Sequence, residues 1–215
     1  MKNFTLLLVL ALFSFSAQAQ NPVIAKQDFD NPIGLLSSSA SPALNSFSSA
    51  ADAFGVYQRG SGIVSFALLD DSACGFDTDA QGMIKCGKTD SWFGVADTDN
   101  GDNSTGDVTA SWTFDIAGSG SLSVEIDMTA MGDFESSDEF NFTYSIDGGT
   151  PQPLFSGMTQ TGVIQSYQLE DGDIFNVADP YVMEGVTLDN DFEKFTASVP
   201  GTGSQLTITF EGNTD

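Results

Sequence analysis

Along the second half of the chain, apolar and polar residues alternate with a period of two. Trp112, Phe114 and Ile116 interleave with Ser111, Thr113 and Asp115, and Leu122, Val124, Ile126 and Met128 interleave with Ser123, Glu125 and Asp127. Successive side chains of a strand point to opposite faces, so this pattern predicts strands with one buried and one wet face. Phe140, Phe142, Tyr144 and Ile146 make a third such strand, stopped at Asp147-Gly148-Gly149, where glycine tolerates positive φ. Phe195, Ala197 and Val199 precede the turn Pro200-Gly201-Thr202-Gly203, after which Leu206, Ile208 and Phe210 alternate again. The Gly118-Ser119-Gly120 link predicts a tight connection between the first two strands.

The N-terminal half is less regular. Val23 to Phe29 reads as a strand ended by the turn signal Asp30-Asn31-Pro32. Leu35 to Ala53 is rich in serine and alanine, carries Pro42 and shows no period, which predicts a long loop with at most a short helical turn. Phe54 to Tyr57 and Ile63 to Leu69 return to strand-like sequence across Gly60-Ser61-Gly62. Many short strands with one apolar face each predict an all-β antiparallel sandwich, jelly-roll-like, with an immunoglobulin-like arrangement as the alternative. No period of 20 to 50 residues suggests a solenoid or propeller.

The first residues have a separate logic. Lys2, the apolar run Phe4 to Phe15 and the small-x-small site Ala17-Gln18-Ala19 read as a secretory signal over residues 1–19. The apolar run is shorter than the roughly 20 residues that span a bilayer, so no membrane insertion is expected after cleavage. Residues 20–215 then form a single β-sandwich domain of a secreted or periplasmic protein. Leu206 to Asp215 resembles a strand arriving at its turn, which predicts that the domain is truncated at its C-terminus. Export to an oxidising compartment makes a disulfide between Cys74 and Cys86 the expected fate of the two cysteines, stabilising by roughly 3 kcal/mol on a chain-entropy estimate.

Charge narrows the partners. Six basic against 30 acidic residues give a net charge of -24, a field that repels phosphate backbones, so direct nucleic-acid binding is not expected. With 40 % hydrophobic residues and 18 phenylalanines, the chain nonetheless has the means to bury a core. Histidine is absent, which removes histidine-based triads and histidine–metal sites.

The remaining candidate chemistry is acidic. Asp97, Asp99, Asp102, Asn103 and Asp107 crowd a glycine-containing stretch, and closely spaced oxygen donors on a turn suit a hard cation such as calcium. The stretch is no EF-hand, since Gly101 takes the fifth position and Val108 the twelfth. A solvated turn is the competing explanation. Further acidic groups lie at Asp127 to Glu139, where a soluble loop is the stronger reading, and at Glu170 to Asp179 and Asp189 to Glu193, each equally readable as a soluble loop. Glu125 and Asp127 share a strand face at a spacing that suits paired-carboxylate glycoside hydrolysis, but any solvent-facing strand looks the same, and the segment itself is read as non-catalytic. Tyr57, Trp92, Phe93, Trp112, Tyr144, Tyr167 and Tyr181 are candidates for a sugar-stacking platform. Trp112 and Tyr144 fall on the apolar stripe and are expected in the core, leaving Trp92 as the residue expected at the surface.

Three segments carry a family resemblance: Trp92 to Asp99 (WFGVADTD), Leu122 to Met128 (LSVEIDM) and Asp138 to Gly149 (DEFNFTYSIDGG). Together they resemble non-catalytic N-terminal β-sandwich domains of secreted bacterial multidomain proteins, including extracellular endonucleases that carry a lamin-tail domain. The resemblance implies an accessory role, with any nuclease or hydrolase activity outside this segment. From the residues themselves, the expected function is recognition or adhesion, with polysaccharide or cell-surface glycan as partner and calcium as a stabilising ion.

Overall fold

The computed structural model describes residues 22–49, 52–58, 90–168 and 173–214, and among these there is no helix. The signal segment, the Ile63–Leu69 strand and the Cys74–Cys86 pair lie outside the described residues. The chain forms β1 (Leu35–Ser41), β2 (Ala53–Tyr57), β3 (Trp92–Ala96), β4 (Val108–Asp115), β5 (Gly120–Met128) and β6 (Glu139–Ile146). These are followed by β7 (Gln152–Thr159), β8 (Ile164–Gln168), β9 (Ile174–Ala178), β10 (Tyr181–Met183), β11 (Val186–Thr187), β12 (Glu193–Thr202) and β13 (Gln205–Asn213).

Seven strands make one antiparallel sheet in the order β1-β4-β13-β6-β7-β10-β11, while β5 pairs with β12, β2 with β3 and β8 with β9. Two of the separate pairs, β5–β12 and β2–β3, cover the inner face of the large sheet. Phe195 of β12 meets Phe155 of β7 with ring centroids 6.2 Å apart, and Phe93 of β3 lies 5.3 Å from both Trp112 of β4 and Phe210 of β13. Edge-to-face arrangements of this kind are favoured by the ring quadrupoles. A second cluster, with Tyr57, Trp92, Met131 and Tyr167, joins β2 and β3 to β8. The alternation read from the sequence survives directly: along β4 every second residue from Val108 to Phe114 is buried, and the intervening ones are not.

Three local expectations change. The predicted strand over Val23 to Phe29 is reduced to an isolated bridge between Lys26 and Ile33. The predicted loop from Leu35 begins instead with β1, a serine-rich edge strand recruited by β4 through pairs from Leu35–Phe114 to Ser41–Thr109. Serine has no strong strand preference of its own, so pairing with an existing sheet decides the outcome. Finally, the glycine link after β4 does not close a hairpin: β4 pairs with β1 and β13 and β5 with β12, so the link carries the chain from one layer to the other. The turn between β12 and β13 does the same, and β13 enters the large sheet between β4 and β6.

Candidate functional site

The Asp97–Asp107 stretch connects β3 to β4, and its residues are occupied in holding the end of β13. The amides of Thr98 and Asp99 donate to the Thr214 carbonyl at 2.7 and 2.9 Å, and the Thr214 amide donates back to the fully buried Thr98 Oγ1 at 2.9 Å. Asn213 Nδ2 donates to the Thr105 carbonyl and to Asp107 Oδ1 at 3.1 and 2.8 Å. Gly106 lets this happen: its φ is +71°, and a Cβ there would come within 2.5 Å of Asn213 Oδ1. A side chain at position 106 is thus disfavoured by the backbone conformation and would displace the Asn213 side chain from its partners.

Inside the loop, Asn100 builds an Asx turn, its Oδ1 accepting from the amides of Asp102 and Asn103 while its Nδ2 donates to the Asp97 carbonyl. Asn103, expected as a neutral oxygen ligand, points its amide nitrogen inward and donates to the carbonyls of Thr98 and Asp107. Asp102 reaches across to Ser48, whose hydroxyl and amide donate to its Oδ2 at 2.7 and 2.6 Å and hold the carboxyl below its ordinary pKa. The structure therefore brings Asp97, Asp99, Asp102, Asn103 and Asp107 into one loop but gives Asp102, Asn103 and Asp107 separate partners. Among the described residues, no three histidine, cysteine, aspartate or glutamate side chains gather in a way that holds a metal ion.

The other carboxylates follow the same logic. Glu125 and Asp127 project from the exposed face of β5, and Lys194 of β12, paired in register with Asp127, lies 3.3 and 3.0 Å from their oxygens. Asp127 first, and then Glu125, raise the lysine pKa by accepting its hydrogen bonds. Asp138 is buried and its Oδ2 accepts from the Glu135 amide, closing the turn before β6. Asp179 accepts from the Gly162 amide, and Asp189 from the Asp191 amide. These are turn-shaping contacts.

The aromatic platform is corrected. Trp92 is only 7 % exposed and tilts against Tyr57 with centroids 6.3 Å apart, because β3 turns it into the second cluster. Both tryptophans and all four tyrosines of the chain are buried, including Trp112 and Tyr144 as expected. Burial pushes Tyr167 and Tyr181 up to about 12. None of them faces solvent as a sugar-stacking ring.

What single-strand reading missed is the outward face of the large sheet. Register aligns Ser39, Ser111, Thr209 and Thr143 across β1, β4, β13 and β6, and beside them Ser37, Thr113, Thr207 and Ser145. Ser111 bonds Thr209 and Thr113 bonds Thr207, each hydroxyl pair 2.9 Å apart. Both rows are free of charge, and Asp115 and Glu211 stand at their margins. The signal was present as the polar half of each alternation, but only the strand order places those halves side by side. Comparison with protein-family models, curated proteins and solved structures gives no match.

Proposed function

We propose that this is a non-catalytic recognition or adhesion domain of a secreted or periplasmic protein, with polysaccharide or cell-surface glycan as its partner class. The observation that carries this reading is the hydroxyl-bearing outer face of β1, β4, β13 and β6, an ordered polar surface backed by an aromatic core. The carboxylates of the opposite layer fit a non-catalytic role, because Glu125 and Asp127 are clamped by Lys194 rather than set across a cleft. A glycan-binding screen of the full chain is expected to show retention on at least one polysaccharide without release of sugar. Release of sugar that Glu125→Gln abolishes, or retention on no glycan at all, would sink the proposal.

Calcium belongs to the same proposal as a stabiliser of the 97–107 loop. Asp97, Asp99, Asp102 and Asp107 are exposed on one loop, and an ion that binds only the folded loop raises stability by mass action. Affinity is expected in the weak range, of order 0.1 to 1 mM, used by extracellular modules. A melt at fixed ionic strength should shift upward with millimolar calcium and return with chelator, and Asp99→Asn should blunt the shift. An equal response to magnesium would reduce the effect to screening.

A second reading, as an accessory domain attached to a secreted hydrolase or extracellular nuclease, draws on the three segments of resemblance, which form β3, β5 and β6 with their adjoining turns. A catalytic domain in the same reading frame would support it.

A further inference from the structure

We infer that the outward face of β1, β4, β13 and β6 is the ligand-binding surface, and that its occupant is the ordered surface of an insoluble, uncharged polysaccharide. This inference rests on the recognition reading above and names its site and ligand class.

Charge is the first argument. The chain carries 30 acidic residues, yet the two aligned rows from Ser39 to Thr143 and from Ser37 to Ser145 contain only hydroxyls. A net charge of -24 repels anionic polymers, and the neutral rows contain no cation to offset that field. The face therefore complements a neutral partner, with Asp115 and Glu211 at its border left in water.

Chemistry is the second. The tryptophans and tyrosines are inside, so sugar rings have no tyrosine or tryptophan surface on which to stack. What the face offers is hydroxyl donors and acceptors, and a partner made of hydroxyls satisfies both roles. Each such bond contributes little net, because it replaces a bond to water, so useful affinity requires many at once.

Geometry is the third. Neighbouring strands lie about 4.8 Å apart and alternate residues on one strand about 6.7 Å apart, which makes the hydroxyls a two-dimensional grid. A flexible soluble chain loses conformational freedom at each contact, whereas a chain already ordered in a solid loses little. Weak contacts on a regular grid thus favour a pre-ordered surface over a free oligosaccharide. The hydroxyl pairs Ser111–Thr209 and Thr113–Thr207 pre-order the protein side in the same way.

The test is depletion of the full chain from solution by washed particles of microcrystalline cellulose and of chitin, with calcium alginate as the anionic comparison and soluble oligosaccharides as competitors. Retention is expected on a neutral solid, with little competition by the soluble sugars. The double variant Thr113→Val and Thr207→Val keeps the β-branched shape and should weaken retention at least tenfold. Thr209→Glu should abolish it, while Glu125→Gln on the opposite layer should leave it unchanged. If the wild-type chain is retained and the valine variant, confirmed folded by its melt, is retained equally, the face is wrong and the recognition reading survives. Retention only on alginate or on soluble glycans overturns the choice of occupant, as does uptake into growing ice without retention on either solid. Retention on none of the probes overturns both readings.

Discussion

Two outer faces of this molecule arise from the same alternation and carry different chemistry. On the large sheet, Thr113 and Thr207 lie between flanking strands and are half-buried. On β5 and β12, which have only each other, Glu125, Asp127 and Lys194 stand exposed. A charge placed between flanking strands loses part of its water, while a hydroxyl bonds its neighbour and a β-branched side chain fits the pleat. On a two-stranded pair the side chains keep their solvent, so charges are tolerated and gain little from pairing. Flanking strands favour hydroxyls in these two rows, while Glu211, on the same face between Thr109 and Asn141, keeps its charge by remaining exposed.

The strongest way to break this comparison is to open the aromatic core that backs the hydroxyl face. Phe210 is 3 % exposed and its ring meets Phe93 and Phe142 at 5.3 Å and Phe140 at 6.3 Å, joining the β2–β3 pair to the large sheet. Phe210→Ala should cost about 3–5 kcal/mol in urea denaturation, with both faces lost in one transition. Two separate transitions would mean that the layers are not cooperatively coupled.

Alkaline pH probes the layers next. Tyr181 lies in the large sheet, its hydroxyl accepting from the Phe140 amide at 3.0 Å, and Tyr167 belongs to the β8–β9 pair. Both rise from 10.0 to about 12 because burial disfavours the phenolate. The folded state therefore holds these protons more tightly than the unfolded one, so their stabilisation is complete below pH 10 and disappears between pH 10 and about 12. Thermal melts across that window should show a falling Tm, and Tyr181→Phe should make the fall shallower. An unchanged slope in that variant would contradict the assignment.

The smallest effect is expected at the charged face. Lys194→Ala removes the clamp on Glu125 and Asp127 and should cost about 0–1 kcal/mol, less at high salt, because the groups are solvated. Chemical denaturation at two ionic strengths measures it. A loss independent of salt would point to packing by the lysine stem instead.

The candidate loop shows where sequence reading stopped. Its acids, amides and glycines were legible as a turn, and so was their suitability for oxygen ligation. Their partners were not, because Ser48, Asn213 and Thr214 are distant in sequence and meet the loop only once β13 has inserted between β4 and β6. Trp92 was misplaced for a related reason. Its neighbour Phe93 also packs into the core, so β3 is buried toward two clusters, and Tyr57 and Tyr167, distant in sequence, complete the one that holds Trp92.

By itself, the sequence determined the all-β class, the strands from β4 to β6 and from β12 to β13, and which of their side chains turn inward. Period-two alternation is a local property, and burial of one face follows from it wherever a strand forms. Tertiary structure alone decided that β1 is a strand, that the glycine links cross between layers, and that serines and threonines from four strands share one uncharged face. Those outcomes depend on which strands become neighbours, and that choice is made by the total apolar surface buried between layers rather than by any single segment.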